Sequence, residues 1–96
     1  MANKRILKKE ISSVAGELFM EALFCKLYIP GVDQEKADVL MTRALDLQDA
    51  FLVRAGHPDG KDNAKLVRGY YRALRADLQK EVNAIADEIG ELSKLG

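Results

Sequence analysis

The sequence predicts an all-α protein, an up-down-up three-helix bundle with long first and third helices. Three observations lead there. Apolar residues recur at three- and four-residue spacing along nearly the whole chain. The two prolines, Pro30 and Pro58, stand within two residues of glycines, and these two places divide the chain into three helical stretches. No alternating apolar–polar pattern competes for a strand.

The first helix is expected over about residues 3–28, with Asn3 as its cap. Leu7, Ile11, Val14, Leu18, Ala22, Cys25 and Ile29 form one apolar stripe. Gly16, Met20, Leu23, Phe24 and Leu27 form a second, on the opposite side at about 100° per residue. Glu10, Glu17, Glu21 and Tyr28 fall on the seam between the two. Two opposed stripes imply one of two arrangements. Either the helix is buried between neighbours, or one stripe faces the core and the other a second copy of the chain. In the second case Gly16, Met20, Leu23, Phe24 and Leu27 are the interface, and two bundles would join as a six-helix homodimer. Pro30-Gly31 ends the helix, because proline lacks the N–H and disfavours helix before it.

The second helix is expected over 33–55, capped by Asp33, with Glu35 at the positive end of the helix dipole. Its apolar set is Ala37, Leu40, Met41, Ala44, Leu47, Phe51, Leu52 and Ala55. Gly56, two residues before Pro58, has the placement of a left-handed residue that closes a helix. His57 to Lys61 is a turn by composition. The third helix is expected over 62–93, capped by Asp62, with Val67, Tyr71, Leu74, Leu78, Val82, Ile85, Ile89 and Leu92 facing the core. Gly69 and Gly90 interrupt it, Gly69 at a cost of about 1 kcal/mol relative to alanine. The core positions of the first and third helices follow the same steps of four and three, an eleven-residue pattern that favours nearly straight packing.

Length and composition bound the function. Ninety-six residues suit one domain, 1–96, with a single modest core. Apolar residues make up 48% and charged residues 31%, values of a globular chain. Fifteen cations balance fifteen anions, so bulk charge does not argue for nucleic acid or a membrane surface. Glu10, Glu17 and Glu21 interrupt the apolar run of the first helix, which leaves no stretch for a secretory signal or membrane span. The single cysteine, Cys25, forms no internal disulfide and lies on the core stripe. Together these features point to the cytoplasm.

Charge is nevertheless segregated. Lys4, Arg5, Lys8 and Lys9 open the first helix, and Lys61, Lys65, Arg68, Arg72 and Arg75 share one face of the third. Acids gather in the later halves of both. With the two helices parallel, the basic ends meet at one pole, where Lys61, Lys65, Arg68, Arg72 and Arg75 form a candidate anion or nucleic-acid face. Tyr70 and Tyr71 lie among them, as a base-stacking platform would require. The other expectation for these arginines is pairing with Glu17, Glu21 or Asp49.

Catalytic signals are sparse. His57 is the only histidine and stands in a turn, so no histidine-rich metal site can form. No Glu-x-x-His pair and no phosphate-cradling glycine loop occurs, and no cofactor is implied. Gly16-Glu17-Leu18, then Glu21, then Glu35-x-x-Asp38 resembles the magnesium-binding pattern of the all-α MazG-type nucleoside triphosphate pyrophosphatases. In that family helix-borne carboxylates hold the metal. The present chain departs from it, with Ser12 and Ser13 near the expected first glutamates and a glutamate spacing of four instead of three. Over nearly its full length the chain resembles an uncharacterised family of short bacterial all-helical proteins. KRILKKEI at the start, GELFMEAL and the His57-Pro58 turn carry that likeness. It implies a helical fold and no catalytic residue. The sequence therefore favours a non-enzymatic protein that works by protein–protein contact.

Overall fold

The computed structural model describes residues 4–56 and 63–94. They form three α-helices, α1 (Lys4–Tyr28), α2 (Gln34–Gly56) and α3 (Ala64–Lys94), and no strand among the described residues. The helices run up, down and up in a rod of 53 × 18 × 17 Å. Side-chain pairs fix the directions. Lys26 near the end of α1 meets Asp38 near the start of α2, and Arg54 near the end of α2 meets Asp77 of α3. Arg75 of α3 meets Glu10 of α1, so α1 and α3 are parallel.

The turn between α1 and α2 is set by its residues. The Val32 amide donates to the Ile29 carbonyl at 3.3 Å, with Pro30 and Gly31 between them. Gly31 has φ of 77°, which places it at the position of a type II turn that calls for glycine. Val32 then turns inward and closes that end of the core. Asp33 caps α2, its Oδ1 accepting from the Lys36 amide at 3.1 Å.

The core is one apolar cluster. α1 contributes Leu7, Ile11, Ala15, Leu18, Ala22 and Cys25. α2 contributes Ala37, Leu40, Ala44, Leu47, Phe51 and Ala55, and α3 contributes Leu74, Ile85, Ile89 and Leu92. Five of these are alanines on α1 and α2, so those two helices can approach closely. Ala15 takes the place expected of Val14, which is half-buried. Ile29, Val67, Tyr71, Leu78 and Val82 are likewise only half-buried.

Two expected helix ends differ. Gly56 is the last residue of α2 and does not have a positive φ. Two side chains of α3 meet this end. The Tyr70 hydroxyl donates to the Arg54 carbonyl at 2.9 Å, and the Tyr71 hydroxyl donates to the Ala55 carbonyl at 3.0 Å. Carbonyls in the last turn of a helix call for donors beyond the helix's own amides, and the tyrosines donate to two of them. The cap of α3 is Asn63, whose Oδ1 accepts from the Lys65 and Leu66 amides at 3.0 and 3.3 Å. Asn3, His57, Lys61 and Asp62 lie outside the described residues.

α2 and α3 are clipped together near the far pole by Glu88. Its carboxylate accepts from Lys36 at 2.7 Å and from Arg43. The hydrogen bonds from Arg43, then Lys36, hold the Glu88 carboxyl down at about 2, against an ordinary value of 4.5. Between those values the unfolded chain binds more protons than the folded one. The clip thus contributes fully above about pH 4.5 and is lost as pH falls toward 2. All three side chains are about a third or more exposed, so water screens the interaction. Glu88→Gln is expected to lower stability by about 1 kcal/mol at neutral pH. It should also flatten the loss of stability between pH 4.5 and 2, read by urea titrations across that range.

Candidate functional site

A helix on the outside of a three-helix bundle buries one side. α1 buries the stripe from Leu7 to Cys25, and its other apolar stripe points away from the bundle. Met20 is 60% exposed, Phe24 60% and Leu27 62%. Leu23 and Gly16, on the same side, are half-buried. Tyr28 joins them at 67% exposure, its ring 4.8 Å from that of Phe24 and tilted by 40°. The sequence placed Tyr28 on the seam; an aromatic pair four residues apart on a helix is the signal that it belongs with Phe24.

The other exposed large apolar residues differ in arrangement. Val39, Leu45 and Val53 on α2 stand six and eight residues apart, so they do not share a turn-to-turn ridge. Leu66 is alone on α3. Single exposed apolar residues are ordinary on a protein surface, whereas a contiguous patch is a candidate interaction site. On the described residues that patch is the end of α1 from Met20 to Tyr28.

Charge follows the length of the rod. The half made of 4–16, 48–56 and 63–78 carries nine cations: Lys4, Arg5, Lys8, Lys9, Arg54, Lys65, Arg68, Arg72 and Arg75. Against them stand three anions, Glu10, Asp49 and Asp77, a net of +6. The half made of 17–47 and 79–94 carries five cations (Lys26, Lys36, Arg43, Lys80, Lys94). Its ten anions are Glu17, Glu21, Asp33, Glu35, Asp38, Asp46, Glu81, Asp87, Glu88 and Glu91, a net of −5.

Of the anion-face residues, Lys65, Arg68 and Arg72 are exposed and pair with no acid among the described residues. Arg75 bridges to Glu10 at 2.9 Å, not to Glu17, Glu21 or Asp49. Tyr70 and Tyr71 are half-buried and pack edge to face at 5.7 Å. Their hydroxyls are committed to α2, and burial followed by the neighbouring Tyr70 pushes the Tyr71 hydroxyl above its ordinary value. Two rings held in this way do not offer the free faces that base stacking needs.

The acids singled out by the MazG-like pattern do not converge. Among the described residues, no group of three or more His, Cys, Asp or Glu is placed to hold a metal ion. Asp38 is paired with Lys26. A groove of about 500 Å³ opens between α2 and α3, over Leu47, Ala50, Phe51 and Ile85. Its rim mixes Arg43, Asp46, Arg54, Asp77, Lys80 and Glu81, and Arg54 both bridges Asp77 and lies 5.0 Å from the centre of the Phe51 ring. The groove thus has no single sign of charge to select a ligand. No helix among the described residues is long and apolar enough to cross a membrane. No protein-family profile matches this chain, nor does any curated protein or solved structure.

Proposed function

We propose that the protein is a non-enzymatic bundle that acts through protein–protein contact, first as a homodimer. Gly16, Met20, Leu23, Phe24, Leu27 and Tyr28 form the seam, and two copies make a six-helix bundle. The observation that carries this reading is the exposure of Met20, Phe24, Leu27 and Tyr28 as one contiguous patch, opposite the core stripe of the same helix. Charge supports a second copy as the occupant. Over the described residues each rod is +6 at one half and −5 at the other, so two rods can match opposite charges without any other partner. Met20→Asp with Phe24→Asp should give a monomer with unchanged helical content, because neither side chain belongs to the core. Light scattering and circular dichroism read both properties. A double variant that keeps the dimer mass would place the seam elsewhere.

Anion binding at the basic pole is the second reading. It rests on Lys65, Arg68 and Arg72, exposed at the same end as Lys4, Arg5, Lys8 and Lys9. It predicts retention on a phosphate resin that falls steeply with salt and weakens with Arg68→Ala and Arg72→Ala. Passage through the resin at low salt would refute it. The magnesium-dependent pyrophosphatase reading has no comparable support, since Glu17, Glu21, Glu35 and Asp38 form no metal-holding group.

A further inference from the structure

We propose that the two copies cross antiparallel, with Gly16 of each α1 at the two-fold axis; this rests on the homodimer reading above. The outer side of α1 follows a seven-residue repeat. Ile6, Ser13, Met20 and Leu27 occupy one set of positions, and Lys9, Gly16 and Leu23 the set between them. Alternating steps of three and four are those of a helix that packs along a partner helix. The sizes along this seam are uneven. Small residues stand at its middle and large ones at its end, with Ile6, itself exposed, at its start.

Unequal sizes select the direction. In a parallel pair Ser13 would face Ser13 and Met20 would face Met20, so a small layer and a large one would follow each other along the contact. Lys4, Arg5, Lys8 and Lys9 would also lie beside the same four cations, a like-charge arrangement that is costly. In an antiparallel pair crossing near Gly16, the smallest residues lie at the closest approach and the large ones toward the ends. Met20 packs over Ser13 of the second copy, and Leu27 packs over Ile6. The stem of Lys9 lies along Leu23 and Phe24, with its ammonium near Glu21. The +6 half of each rod covers the −5 half of the other.

Gly16 itself points the same way. A glycine inside a helix is destabilising relative to alanine. Within one chain a Cβ at Gly16 would meet no atom within 4 Å, as at Gly69 and Gly90 of α3, but of the three only Gly16 lies on the apolar outer stripe of α1. At the crossing point of two helices its lack of a side chain lets the backbones approach.

Disulfide trapping tests the direction. Single cysteines are placed on a Cys25→Ala background, which removes the buried native thiol. Bridging requires Cα atoms within about 7 Å. Gly16→Cys should oxidise to a covalent dimer. Met20→Cys alone should not, while Met20→Cys coexpressed with Ser13→Cys should give the mixed dimer. Self-linking of Met20→Cys and of Leu27→Cys, as fast as that of Gly16→Cys, would overturn the antiparallel crossing and leave the homodimer standing. If no pair links and light scattering reports a monomer, the homodimer reading fails, and this inference with it. If no pair links in a protein of dimer mass, the α1 seam is the wrong surface for both. With Cys25 intact, Gly16→Leu should raise the dimer dissociation constant at least tenfold and leave helical content unchanged. An unaltered dissociation constant would remove Gly16 from the crossing.

Discussion

A helix in a three-helix bundle touches two neighbours, and both lie on the same side of it. α1 is apolar on two opposite sides, so this bundle can cover only one of them. The core stripe wins because α2 and α3 meet it with Leu40, Phe51, Leu74 and Ile85, and burial of such side chains stabilises by about 1.5–3 kcal/mol each. Everything on the outer side of α1 follows from that choice. Met20, Phe24, Leu27 and Tyr28 remain in water, at the unfavourable cost that covering them would relieve.

The antiparallel helix α2 explains a charge pattern that looks wrong one helix at a time. Cations at the start of α1 and acids later in it oppose that helix's own dipole. At the basic pole, however, α2 ends. The Lys8 ammonium lies 3.6 Å from where a Cβ of Gly56 would stand, beside the negative end of α2. At the other pole, Asp33, Glu35 and Asp38 stand at the start of α2, near the last turns of α1 and α3. Each end therefore satisfies one helix at the expense of two, and the excess gives the rod its dipole. The tyrosine pair belongs to this economy of ends, since Tyr70 and Tyr71 complete the hydrogen bonding of α2 where a left-handed glycine was expected.

What could be read from the sequence was whatever a single helix determines. The spacing of Leu7, Ile11, Leu18, Ala22 and Cys25 places them on one side, and all are buried. Met20, Phe24 and Leu27 follow from the same wheel, and all are exposed. What could not be read depends on a neighbour. Val14 and Ala15 stand about 100° apart, on the two flanks of the core stripe, and which flank is buried depends on how the neighbouring helices sit against α1. Arg75 was expected to meet Glu17, Glu21 or Asp49. Its partner is Glu10, because the register between α1 and α3 is fixed by packing and not by either helix. Gly56 ends α2 in helical geometry, and the two carbonyls before it accept from hydroxyls on a different helix. Tyr28 falls between the two stripes on the wheel, and its contact with Phe24 puts it on the exposed patch.

The central claim is that the outer face of α1 is covered by a second copy. The most direct measurement is the mass of the protein in solution by light scattering, at low and at high salt. An apolar seam predicts twice the 10.7 kDa chain mass at both, since salt screens charges but does not weaken apolar burial. A mass of 10.7 kDa at both salts would contradict the claim and leave the patch from Met20 to Tyr28 without a second copy to cover it.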